Sequence, residues 1–152
     1  MHLAHYLGLL HRSLQQLGSA FHEVGDAHAE EPDIAHLCQK LGGQCEQDAG
    51  RLAPFVATYG EDAPDEPERL HSELFSETRD DGLGLLRDLH DLYLMATECD
   101  ISWTMVAQAA QGARDPNLLD VATAGQAHTT IQLAWIRTRM KQAAPQALVV
   151  AS

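Results

Sequence analysis

Carboxylates and imidazoles are the side chains with chemistry to offer in this chain: 22 Asp and Glu and nine His in 152 residues. Brought together inside a helical bundle, such groups bind metal. A pair of hard cations needs several carboxylates and two imidazoles at mid-bundle. The usual delivery is one Glu from each of two helices and Glu-x-x-His from each of the other two. The long helical stretches lack that spacing, because Glu23, Glu46 and Glu98 are followed at that distance by Asp26, Ala49 and Ile101. Glu98 also points about 130° away from the centre of its helix's apolar stripe, at roughly 100° per residue. In the corresponding places stand Cys45-x-x-Asp48, then Thr129 and Gln132, and on the first helix Leu14 and Leu17 flanked by His11 and Gln15. A rearranged metal site would draw on Asp48, His128, His11 and Asp100. Iron or manganese would suit these oxygens and imidazoles, while Cys45 would pull towards zinc.

Each candidate has a plainer reading. Asp48 falls on an apolar stripe, where a carboxylate must find Arg, His, a hydroxyl or a metal because an unpaired buried charge is costly. His128 falls on a second stripe of its helix, a candidate interface, and reads there as a packed neutral imidazole that would make that interface sensitive to pH. Asp88, Asp91 and Asp100 read as solvated or inter-helix ion-pairing groups. His2 with His5, or His22 with Asp26, could chelate zinc or nickel from one helix face, but a pair of surface ligands binds weakly. Cys38, Cys45 and Cys99 are an odd number without framework spacing and read as reduced core thiols. No Ser-His-Asp or Cys-His arrangement and no phosphate-binding loop is present; the GLG at Gly82 to Gly84 lacks both the fingerprint and a preceding strand.

The elements that would position these residues are helices. Leu3, Leu7, Leu10, Leu14, Leu17, Phe21 and Val24 keep heptad spacing, with His28 in the next slot, which predicts a helix over 3–28. Pro32 suits the first turn of a second helix over 32–59, interrupted by Gly42-Gly43, which lets a neighbour approach or weakens the helix, and by Pro54, which should bend it. Residues 60–80 are acidic and punctuated by Pro64 and Pro67, a connection long enough to return from one end of a bundle to the other. A third helix over 81–114 carries Leu85, Leu89, Leu92, Ala96, Cys99, Trp103, Val106 and Ala110 on one stripe. Asp115 and Pro116 open a fourth helix over 116–142, and the tail 143–152 is apolar. Second stripes, Leu86, Leu94, Ile101 and Met105 on the third helix and Ile131 and Trp135 on the fourth, predict an interface that makes the protein a homodimer.

The bulk properties exclude some functions. One domain spanning 1–152 fits 45% hydrophobic residues. The net charge of −12 would repel a phosphate backbone, so nucleic acid is not an expected partner. No window approaches the roughly 18 apolar residues of a membrane span, and the amino terminus lacks an export signal, so a soluble cytoplasmic protein is expected.

The pairing of GLGLLRDLHDLYLMATECDISW with TTIQLAWIRTRMKQAAPQ, together with HLAHYLGLLHRSL and RLAPFVATYG, resembles bacterial proteins of the ferritin-like superfamily over nearly the whole chain. The resemblance implies an all-α antiparallel four-helix bundle with a long crossover between helices two and three, dimerisation, and, in members with intact ligands, iron or manganese binding with oxidase or storage activity. Because the ligand motif is not intact on the long helices, the expected function is a non-catalytic binding or assembly protein that has lost the di-iron site and carries no cofactor. The alternatives are a metal-binding oxidase or iron-handling protein with a rearranged site, and a small-ligand carrier with a cavity opened by Gly42-Gly43 and Ala96. An unidentified protein or small molecule is the expected partner.

Overall fold

The computed structural model describes residues 2–60 and 82–150. They form four long helices: α1 (His2–Ala27), α2 (Pro32–Gly60), α3 (Gly82–Gly112) and α4 (Pro116–Pro145). No strand occurs among the described residues. Apart from Gly60, the expected connection over 60–80 lies outside them. Every helix end agrees with the sequence reading to within three residues, α3 beginning at Gly82 and ending at Gly112. Pro54 does not interrupt α2, and α4 runs on through the expected tail to Pro145. A π-helical turn, Gln146–Val150, continues α4 and touches α3.

The ends have local causes. Asp115 adopts an extended conformation and accepts from the Leu118 N–H at 3.0 Å, and Pro116 follows at the position where a missing N–H costs nothing. Just before it, Arg114 takes a left-handed conformation (φ 56°), letting Asp115 N–H reach Ala110 O at 2.9 Å. This tight turn folds α4 back along α3.

Each of α1 and α4 packs against both α2 and α3, whereas α1 and α4, like α2 and α3, make no backbone approach among the described residues. The α1–α2 and α3–α4 pairs are the most extensive contacts. The heptad leucines of α1, from Leu7 to Leu17 with Phe21 and Val24, are fully buried, as are Leu89, Leu92, Ala96, Cys99 and Trp103 on α3. At roughly 25 cal/mol per Å² of apolar surface, the Leu, Val and Phe side chains among these contribute about 1.5–3 kcal/mol each.

Two glycines set how closely the helices approach. A Cβ on Gly42 would stand 2.8 Å from the His22 ring and 3.0 Å from Gly18 O, so α1 lies directly on α2 at this point. A Cβ on Gly125 would stand 2.3 Å from Trp103, whose indole rests on the α4 backbone. Alanine elsewhere inside a helix is favoured over glycine by about 1 kcal/mol. Gly125→Ala is expected to invert that sign and destabilise the fold by about 1–3 kcal/mol through overpacking, read by chemical denaturation.

Candidate functional site

Mid-bundle, α2, α3 and α4 bring polar side chains into an otherwise apolar interior, and α1 brings none: Leu14 and Leu17 are buried there. Among the described residues, Asp48 is reached by a single donor. Its Oδ2 accepts from His128 Nδ1 at 2.7 Å, and the two side chains are 3% and 24% exposed. Burial pushes the Asp48 carboxyl up from its ordinary range; the His128 hydrogen bond and charge, and more distantly Arg51, draw it back. Asp100 of α3 is half-buried and accepts from Thr129 Oγ1 of α4 at 2.6 Å. Gln132, one turn beyond His128, is buried and points Nε2 at Cys45 Sγ, 3.6 Å away, leaving its Oε1 without a partner among the described residues.

The thiols are held as thiols. Burial, and then Asp48, push Cys45 up to about 12, and burial with Asp33 does the same to Cys38. Burial and the neighbouring Cys45 push Cys99 well up. All three are free, and none has the thiolate character that nucleophilic or redox chemistry requires.

Of the four candidate ligands, the structure joins Asp48 to His128, turns Asp100 towards Thr129, and leaves His11 half-buried on α1 outside these pairs. Among the described residues no group of three or more His, Cys, Asp and Glu could hold a metal ion. The chain's single Glu-x-x-His, Glu68 with His71, lies outside them. A di-metal centre wants four to six carboxylate and imidazole donors, and an α1 that offers leucine here does not fit one. The His22 and Asp26 pairing is bridged instead by Gln39, whose Nε2 donates to Asp26 at 2.9 Å while Oε1 faces His22 Nδ1 at 2.5 Å; Glu46 accepts from His22 Nε2 at 2.7 Å. This ring fills the space beside Gly42 in which a small-ligand cavity was expected.

The sequence reading left His28 and Asp88 unconnected. They form a buried pair, His28 Nε2 to Asp88 Oδ2 at 2.9 Å, joining the end of α1 to the start of α3. The signal was present: His28 takes a heptad slot, and Asp88 follows Leu85 by three on the buried stripe. Other polar links tie α2 to α4 along their length. Arg139 donates to Asp33 and Glu31 at 2.8 and 2.9 Å, and Tyr59 donates to Asp115 at 2.8 Å.

Of the predicted interface residues, Leu94, Ile101, Met105 and Ile131 stand exposed, while Leu86 and Trp135 are half-buried, Trp135 against the core. Among the described residues, no helix is long and apolar enough to cross a membrane. Comparison of the chain with protein families, curated proteins and solved structures finds no match to any of them.

His128→Ala strips Asp48 of its donor, and at neutral pH should cost about 3 kcal/mol, the scale of breaking a buried pair. Because the Asp48 carboxyl is raised in the fold, the penalty belongs to its ionised form. It is present above the folded value and fades as pH falls towards 3.8, where the unfolded chain also protonates. Denaturation of wild type and variant between pH 7 and pH 4 should show the two curves converging; parallel curves would contradict this account.

Proposed function

We propose that this chain is a non-catalytic protein of ferritin-like architecture, an antiparallel bundle with a crossover between α2 and α3, working as a binding or assembly module in the cytosol. The architecture is supported by which ends meet: His28 of α1 with Asp88 of α3, Tyr59 of α2 with Asp115 at the head of α4, and Asp33 of α2 with Arg139 near the end of α4. It is supported too by the separation of α2 from α3, neighbours in sequence that do not pack together. Three buried, unreactive thiols suit a reducing compartment.

The observation that carries the functional reading is the Asp48–His128 hydrogen bond. The one carboxylate facing the middle of α2 is engaged by a histidine, and the remaining polar groups of this layer are a Thr–Asp and a Gln–Cys pair. A carboxylate held by a protein donor has its partner within the chain; one that served two cations would need further carboxylates beside it. What the fold keeps is its shape and its outer surface, and binding through that surface is the function that remains.

Elemental analysis of untagged protein, produced with iron and manganese supplied, tests the reading. Well under one equivalent of either metal per chain is expected, and Asp48→Ala should change thermal stability without changing metal content. Two equivalents per chain, lost in Asp48→Ala, would replace this reading with a metal-dependent oxidase or iron-handling protein built on Asp48, His128, His11 and Asp100.

A further inference from the structure

The outward side of α3 carries a stripe that the bundle does not use. Leu83, Leu94, Ile101 and Met105 recur at intervals of eleven, seven and four, which places them on one helical face, and they stand 38–54% exposed. Thr104 lies between Ile101 and Met105 and accepts from Gln126 of α4 at 2.8 Å, so the two helices present one continuous surface. The α4 part of that surface is small, with Thr123, Ala127, Thr130 and Ala134 exposed, and Ile131 beside them is 55% exposed.

This surface lies on the part of the chain least charged overall. Residues 82–145 hold five Lys and Arg against six Asp and Glu, a net of −1, whereas residues 1–81 hold five against sixteen, a net of −11. From Val121 to Ile136, and again from Ile101 to Ala113, there is no Asp, Glu, Lys or Arg at all. A basic partner would be drawn to the acidic part. A partner with the same −12 charge is repelled there and can approach closely only where the charge is absent.

We infer that the α3–α4 face is where a second copy of this chain packs, related by a two-fold axis that sets Ile101 and Met105 near the centre of the contact. The dimension is sufficient: a 31-residue helix is about 45 Å long, and two helices side by side are about 20 Å across, a footprint of about 900 Å² against the roughly 800 Å² per partner of a standard interface. The uncharged middle also matches interface cores, from which charged residues are depleted. This inference rests on the assembly reading, but its failure is separable from it: metal content tests that reading and particle mass tests this one.

The test is light scattering coupled to size exclusion at micromolar concentration, on the full chain. Wild type should have a mass near twice 16.6 kDa. Ile101→Glu combined with Met105→Glu should raise the dissociation constant about 30-fold or more, the effect of losing an interface hot spot. Because both positions are exposed in the single chain, helicity and melting of the variant at low concentration should match those of wild type. Lys40→Glu, an exposed change of charge on α2, should leave the mass at the dimer. A monomeric wild type would overturn the inference, as would a double variant that remains dimeric or a Lys40→Glu protein that dissociates as readily as the double variant.

Discussion

A polar group taken out of water must bring a partner with it, and in this bundle that requirement decides how the two halves meet. Within each half the helices fit by shape: α1 lies on Gly42 of α2, and Trp103 of α3 lies on Gly125 of α4. Between the halves, the directional links are hydrogen bonds and ion pairs: His28 with Asp88, Asp48 with His128, Arg139 with Asp33 and Glu31, and Tyr59 with Asp115. Apolar packing favours any arrangement that buries the stripes, whereas these five hydrogen-bonded pairs distributed along the seams are satisfied together in only one register. A shift of one helical turn between α2 and α4 would leave Asp48 buried without a donor and Arg139 without its carboxylates.

The same requirement accounts for the chemistry of the middle layer. Desolvation alone would favour neutral Asp48, and the His128 hydrogen bond opposes it. The thiols beside it are pushed the other way from reactivity, since burial and nearby carboxylates both disfavour thiolate. Polar groups are therefore present at mid-bundle, but they engage one another in pairs, Asp48 with His128, Asp100 with Thr129 and Cys45 with Gln132.

Much of the fold was legible because its signals are periodic. Heptad leucines marked α1, and the four-three spacing from Leu85 to Ala110 marked α3; every residue of those two stripes from Leu7 onward is buried. Asp115 and Pro116 announced the start of α4 through capping, which is a local interaction. What sequence could not supply was the choice among partners for a buried polar residue. Asp48 was recognisable as needing one, but whether it would be His128, an Arg or a metal depends on the relative height of α2 and α4. His28 and Asp88 are sixty positions apart and met for the same reason. The Gly42-Gly43 pair was ambiguous between weakness and close approach, and the ring of His22 resolved it for Gly42, while Gly43 faces open space. The sequence reading ends the fourth helix at 142, whereas α4 runs on to Pro145, since a proline disrupts only the turn preceding it, and the chain continues in a π-helical turn.

The seating of Trp103 on Gly125 also makes the molecule its own probe. The Trp103 indole is wholly buried and its Nε1 proton has no acceptor among the described residues. Exchange of that proton with deuterium requires water to reach it, and water reaches it only when α3 and α4 separate. Trp135 is only half-buried, so its indole provides a comparison in the same sample. One NMR resonance therefore measures the free energy of opening for the helix pair whose outer side carries the uncharged face.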